Sequence, residues 1–529
     1  MSFKKMPFAA LLFVLFISLQ VSSQTSLPRS TPEAEGVSSK AILKFLEAVN
    51  SSKHEFHSIM IVRHGKVIAE GWWKPYRSDL KHTMYSVSKS FTSTAVGFAV
   101  SEKRLSVNDK VVSFFPNELP ATVSPYLAEL TVKDVLSMSV GQDPDPTGPV
   151  VSTDSNWVRR FLALPMIDKP GSKFLYNSLG TYMLSAIVQK VTGQKIIDYL
   201  QPRLFQPLGI KGVDWEKDPK GINVGGWGLR VKTEDMAKFG QLYLQKGKWK
   251  GKQILPAAWI EEATTLKIEQ TPDFPQIRKD SSDWRQGYCY QFWRSRHNTY
   301  RGDGAFGQYI LVWPEQDAVI AITSETGDMQ GALNLVWEHL FPAFQNNNKL
   351  AVDSKTQAAL KQKLSILALP LPAKADTVIN RSVAGNNYSM EANGKNIKTI
   401  SFGLKDNVYT VAIRDDKSIY IIPFGSGKWE STETTRRGPS LVGQAKGHFE
   451  GLPPTKVVGS YSWKDGNTLE LTLRYIESPH TEKMTCRFDG DKISIETQIS
   501  FNPNAKIPVL TGTLSNLGST SHKDTENTK

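Results

Sequence analysis

The sequence predicts an α+β protein: an antiparallel sheet flanked by helices, with an all-helical insertion, followed by an all-β domain. Two observations lead there. A hairpin-like stretch, Ser58 to Gly71 around His64-Gly65, is separated by a mostly helical middle from strand-like runs at Gln308–Trp313 and Asp317–Thr323. An antiparallel sheet assembled from both ends of one domain, with helices covering it, accounts for that order. Past Leu369-Pro370-Leu371-Pro372-Ala373-Lys374 the pattern changes to alternating strands, so residues 369–374 read as a linker to a second domain. A chain of 529 residues is in any case too long for one core.

Taken in order, the chain opens with two lysines and an apolar run from Phe8 to Leu19, then Val21-Ser22-Ser23-Gln24. A basic start, about a dozen apolar residues and a small polar stretch are those of a signal peptide. Residues 1–24 are therefore expected to be removed and the protein exported, to the periplasm or outside the cell. No later stretch reaches the ~18 apolar residues of a membrane span. Residues 25–368 form the first domain, with a helix over Ser38–Val49, further helices over Leu130–Gly141, from Ser178 and over Thr233–Leu244, strands at Gln286–Trp293 and after Gln308, and a helix starting at Asn334. Residues 375–529 form the all-β domain, with strands at Lys398–Leu404, Val408–Arg414, Ser418–Pro423, Thr468–Tyr475, Met484–Phe488 and Lys492–Gln498. Asp465-Gly466 and Asp489-Gly490 supply turns between them.

Composition narrows the function classes. Apolar residues make up 40% and tryptophans number 13, which excludes a largely disordered chain. The net charge of +13 is spread without a long basic run and accompanies no nucleic-acid motif, so it reads as a solvated surface. Two cysteines, Cys289 and Cys486, lie far apart in apolar strand-like contexts and read as buried thiols. His54 and His57 have metal spacing but no third ligand. Gly225-Gly226 shows no phosphate-loop pattern, and no Gly-x-Ser-x-Gly elbow is present. No cofactor or metal is expected.

The chemistry concentrates at Ser86-Val87-Ser88-Lys89-Ser90-Phe91-Thr92. Residues Phe91 to Val100 are small and apolar, so the helix they form should be buried. Positions i and i+3 share a helix face, which puts the Lys89 amine in reach of the Ser86 hydroxyl. A serine needs a neighbouring base to become a nucleophile, and an amine sunk among apolar groups gives up its proton more readily. A second Ser-x-x-Lys, Ser78 to Lys81, lies in a polar stretch with no such helix behind it.

Ser86-Val-Ser-Lys89 resembles the nucleophile motif of the serine β-lactamase and penicillin-binding-protein superfamily, in the branch holding class C β-lactamases, esterases, D-amino-acid peptidases and 6-aminohexanoate-oligomer hydrolases. Tyr176-Asn177-Ser178 resembles its second motif, and Gly302-Asp303-Gly304 with Ala305 occupies its third. The resemblance spans roughly residues 30 to 345. It implies a β-lactamase/transpeptidase-like fold, Lys89 and Tyr176 as the general base and acid, and an oxyanion hole from the backbone N–H groups of Ser86 and Ala305. The tyrosine would act as a phenolate favoured by nearby cations or as a proton relay.

Departures from the family pattern bear on the substrate. The second motif is Tyr-Asn-Ser, so its polar third position falls to Ser178, or Asn177 takes over. Gly302 stands where β-lactam-active members carry a cation or an imidazole, and Asp303, with Arg301, is what this loop offers. Asn177, Ser178, Gly302, Asp303 and Gly304 are thus the candidate substrate-binding residues. The function expected is hydrolysis of an ester or amide, of a small molecule or peptide, through an acyl-enzyme. The alternatives are a D,D-peptidase or D-aminopeptidase acting on cell-wall peptides, and a recognition protein that has lost hydrolysis. The all-β domain is expected to pack on the site or bind a partner.

Overall fold

The hairpin forms as two strands, Glu55–Arg63 and Lys66–Trp72. Its turn places His64 at φ 49° and Gly65 at φ 72°, the paired left-handed conformations that match the twist of a two-residue hairpin. A computed structural model describes residues 26–270, 281–344, 348–372 and 383–515; the expected leader, residues 1–24, lies outside them. The hairpin joins four later strands in one antiparallel sheet of six, in the order Lys66–Trp72, Glu55–Arg63, Ala318–Glu325, Gln308–Trp313, Thr299–Gly304, Trp293–Ser295. Both ends of the domain therefore meet in one sheet, as the sequence predicts. Glu55 and Glu325 are register partners at one end of the central pair.

Alternate residues of the central strands face opposite sides, and helices cover both. Met60, Val62, Ile310, Val312 and Val319 pack with Phe91, Ala95 and Phe239 of the helices Ser88–Ser101 and Thr233–Leu244. Ile59, Ile61, Leu311 and Ile320 pack on the other side with Ile42, Phe45 and Leu46 of the helix Ser39–Ser51. Burial on both sides makes Glu55–Arg63 nearly continuously buried, which is why its sequence lacks a clean polar alternation.

Two expected elements differ from the prediction. The helix expected to reach Gly141 covers only Val132–Leu136. The Ser137 hydroxyl donates to the Lys133 carbonyl at 2.8 Å and that of Ser139 to the Asp134 carbonyl at 3.1 Å, hydroxyls competing for helix carbonyls. Met138 then turns left-handed at φ 59°. The strand expected over Gln286–Trp293 is not formed: only Trp293 belongs to a strand, Trp293–Ser295, and the chain before it is turned at Gln291, φ 64°. The Gln291 side-chain amide donates to the Leu136 carbonyl at 2.9 Å and accepts from the Thr181 hydroxyl at 2.7 Å.

The C-terminal residues form a ten-stranded antiparallel sheet. A parallel pairing of Gly425 with Ser460 and Ser426 with Tyr461 closes it into a barrel, filled by Phe402, Val411, Leu471, Phe488 and Ile495. Leu369, the first residue of the expected linker, is docked in the first domain, its N–H donating to the Lys74 carbonyl at 2.8 Å; Ala373 and Lys374 lie outside the described residues. Cys289 and Cys486 are both buried free thiols, and burial pushes each up to about 12. Among the described residues, no helix is long and apolar enough to cross a membrane.

Candidate active site

Ser86 sits in a single 3₁₀ turn, Tyr85–Val87, that leads directly into the helix Ser88–Ser101. Tyr85 enters that turn with φ 45°, a left-handed conformation that costs an aromatic residue about 1–2 kcal/mol and turns the chain sharply at the nucleophile. Every residue from Ser88 to Ala99 is buried, and Lys89 is only 1% exposed. One helical turn brings the Lys89 Nζ to 3.1 Å from the Ser86 Oγ. The same nitrogen lies 2.6 Å from the Gly226 carbonyl oxygen and 2.9 Å from the Ser178 Oγ.

Those three contacts serve both charge states: the ammonium donates to all three oxygens, and the neutral amine donates to Gly226 and Ser178 and turns its lone pair to the Ser86 hydroxyl proton. Burial pushes Lys89 down to about 7, with the Asp145 and Asp303 carboxylates pulling the other way. The neutral amine is therefore well populated at neutral pH, the state a general base requires.

Tyr176 lies beside this pair. Lys89 Nζ is 4.9 Å from its ring centroid, and the phenol meets the Ser86 side chain. Stacking on Trp293, with centroids 5.5 Å apart, fixes the ring. Burial raises the Tyr176 phenol above its ordinary value, more than its hydrogen bond to Ser86 lowers it. The phenolate considered from the sequence is thus disfavoured, and a protonated phenol that relays protons is what this environment holds.

The candidate binding residues divide. Ser178 is at the site, through Lys89. Asn177 is not free to bind substrate: its side chain caps the helix Ser178–Thr192, accepting from the Gly180 N–H at 2.9 Å, and donates to Gln142 at 2.8 Å. Asn177→Ala should therefore lower stability by about 1–3 kcal/mol, read as a lower denaturant midpoint, while Ser86 stays reactive. Gly302 and Gly304 serve as close-packing positions. A Cβ on Gly302 would lie 3.2 Å from the Ser90 Oγ, and one on Gly304 would lie 2.3 Å from the Met84 carbonyl oxygen. Only glycine lets this strand approach the turn at Ser86 so closely, and Gly304→Ala should displace it. Asp303 is buried and held by Arg301, Nε to Oδ2 2.7 Å. Burial nevertheless keeps its carboxyl above the usual range. Arg301 is itself fully buried, bonded to the Asp283 and Arg294 carbonyls and the Ser295 hydroxyl, so it does not reach out as a free cation.

Gly226 is the contributor that sequence reasoning missed. Its Cβ would lie 2.8 Å from the Ser178 carbonyl oxygen. The Thr92 hydroxyl ties the neighbouring Gly225 carbonyl down at 2.9 Å. The Gly225-Gly226 pair was a visible signal, but one that points to close backbone approach in general, not to a lysine. The histidines that the sequence singled out are bonded to other partners. His82 bonds His57 at 3.1 Å and His54 bonds Thr326 at 2.7 Å, and no cluster of possible metal ligands occurs among the described residues. A cavity of about 1190 Å³ runs beside the outer hairpin strand, between Arg29, Trp72, Leu364 and Trp429. It contains none of the residues around Ser86.

Comparison with known proteins bears on the family of the chain. The β-lactamase family profile matches residues 55–338, more than half of the chain. The 6-aminohexanoate-dimer hydrolase of Paenarthrobacter ureafaciens is 26% identical over 289 residues, covering 51% of this chain and 73% of that protein. The D-aminopeptidase of Brucella anthropi is 26% identical over 171 residues, 30% of this chain and only 32% of that protein. Among solved structures, the octameric penicillin-binding protein homologue from Pyrococcus abyssi aligns over 89% of this chain and 99% of its own, at 17% identity and a TM-score of 0.45. The profile match, over the segment that carries the sheet, the nucleophile helix and the strand beside it, places this chain in the β-lactamase family of serine hydrolases.

Proposed function

We propose that the protein cleaves an ester or amide through an acyl-enzyme on Ser86. The observation that carries this is the buried Lys89 amine placed 3.1 Å from the Ser86 Oγ, a burial that favours its neutral form. Lys89 takes the hydroxyl proton as Ser86 Oγ bonds to the carbonyl carbon. The carbonyl oxygen becomes an oxyanion facing the N–H groups of Ser86 and Ala305. Collapse of this intermediate breaks the bond to the leaving group, which takes a proton from the Tyr176 phenol as the phenol takes one from Lys89. Water then attacks the acyl-enzyme by the reverse route, restoring Ser86 and both proton carriers.

The substrate reading rests on the third motif. Gly302 has no side chain, and Arg301 is fully buried, its Nε and Nη1 bonded to Asp303 and to neighbouring backbone and hydroxyl oxygens while its Nη2 has no hydrogen-bond partner. The cation of this strand, Arg301, is buried and ion-paired to Asp303 and presents no exposed charge to a substrate carboxylate, which favours uncharged esters and amides over β-lactams and peptides ending in a carboxylate. The relatives named as a 6-aminohexanoate-dimer hydrolase and a D-aminopeptidase make ω-aminoacyl and D-aminoacyl amides the first amides to test. Hydrolysis of p-nitrophenyl esters and of these amides, compared with release of D-alanine from a muropeptide, separates the readings; turnover restricted to the muropeptide would overturn this one. Export of the mature chain is part of the same proposal and is checked by the N-terminus of the protein recovered outside the cytoplasm.

Tyr176→Phe keeps the stack on Trp293 and removes only the relayed proton. It should lower kcat about 10²–10³-fold, with the larger loss on amides, whose leaving group needs protonation more than p-nitrophenolate does.

A further inference from the structure

The barrel domain reaches the back of the active site through one histidine. His480 is fully buried in the short connection between the strands Thr468–Tyr475 and Thr481–Asp489. Its Nδ1 lies 2.6 Å from the Glu325 Oε1 at the end of the central sheet strand. Glu325 accepts the Nδ1 proton, so Nε2 is left as an acceptor. The Tyr85 phenol donates to that Nε2 at 2.5 Å. Glu325, His480 and Tyr85 thus form a chain of hydrogen bonds across the domain boundary, ending on the residue before the nucleophile.

The second oxyanion loop meets the same imidazole. Phe306, the residue after Ala305, packs edge-on against His480 with centroids 4.8 Å apart and against Tyr85 at 5.4 Å. Phe306 is held at φ 66° as Tyr85 is at φ 45°. Its carbonyl accepts from the Thr326 N–H at 3.1 Å and from the Ser324 hydroxyl at 2.9 Å. Each candidate oxyanion donor, Ser86 and Ala305, is therefore flanked by an aromatic residue in a left-handed conformation. Such conformations persist only where surroundings over-determine them, and here the shared surrounding is a side chain from the other domain.

We infer that His480, held by Glu325, is a positioning residue that sets the spacing of the Ser86 and Ala305 amides, so that the barrel domain is needed for transition-state stabilisation. This rests on the acyl-enzyme reading above. The His480 side chain bonds Glu325 and Tyr85 and packs on Phe306, so its effect travels through Tyr85 and Phe306.

The test uses the full mature chain and a p-nitrophenyl ester, with circular dichroism and thermal melting to confirm folding. His480→Ala should lower kcat about tenfold to a hundredfold, a fraction of the 10²–10³ that loss of a whole oxyanion donor costs, with KM changed less than about threefold. His480→Gln, whose amide can accept from Tyr85 and donate to Glu325, should recover most of that loss. Tyr85→Phe should fall between them. A folded His480→Ala enzyme with kcat within about twofold of the parent overturns the inference. So does a loss that His480→Gln fails to restore despite an unchanged melting temperature. If His480→Ala does not fold, Tyr85→Phe and His480→Gln decide the matter, and parental kcat in both overturns the inference. Wild-type turnover and labelling at Ser86, run alongside, keep the two claims apart: their absence defeats the acyl-enzyme reading, whereas their presence with an indifferent His480 defeats only the positioning role.

Discussion

Ser86→Ala should abolish acylation and lower ester hydrolysis by at least about 10⁴-fold, the scale on which serine hydrolases lose activity with their nucleophile. The fold should be unaffected. Ser86 is half-buried, and its side chain meets Lys89 and Tyr176. Lys89 keeps Gly226 and Ser178 as partners. The melting temperature should therefore stay near that of the parent, and a variant that unfolds would point to a structural role that these contacts do not provide.

Lys89→Met is expected to cost about 10³-fold or more in kcat/KM, within the range for loss of a general base. The pH dependence identifies the cause. An amine acts as a base only when unprotonated, so wild-type kcat/KM should rise with pH through a midpoint near about 7, where burial sets Lys89, and level off above it. Activity is lost on the acid side because the ammonium has no lone pair left to accept the proton that Ser86 must give up. In Lys89→Met that inflection should vanish along with most of the rate. Lys89→Arg should be as inactive, because a guanidinium stays protonated throughout this range. A wild-type profile flat from about pH 5.5 to about 9 would contradict Lys89 as the base.

The parts of this molecule legible in the sequence are those governed by local rules. The Thr233–Leu244 helix and the strands Gln308–Trp313, Val408–Arg414 and Thr468–Tyr475 fall where periodicity puts them. The Ser86–Lys89 pairing follows from helix geometry alone. What was hidden depends on distant partners. The strand Glu430–Thr434 is polar, Glu-Ser-Thr-Glu-Thr, and is held by pairing with Thr455–Trp463. The role of Asn177 depends on Gln142 and Gly180, and that of Arg301 on Asp303, two carbonyls and the Ser295 hydroxyl. The lysine's third contact comes from the Gly226 carbonyl 137 residues away. The two domains were separable by composition, yet nothing local announces that Glu55 and Glu325, side by side in the sheet, take Arg474 and His480 from the barrel. Glu55 is held down to about 2, its bonds to His57 and Arg474 outweighing its burial.

The central claim is a covalent bond at one oxygen. Incubating the mature protein with a fluorophosphonate or a slowly deacylating p-nitrophenyl ester, then mapping the adduct by mass spectrometry of proteolytic peptides, tests it directly. The account predicts a single adduct per chain, on the peptide containing Ser86 and at that residue, formed faster as pH rises through about 7. An adduct at any other residue, or an unmodified Ser86 in a protein that turns the ester over, would contradict it.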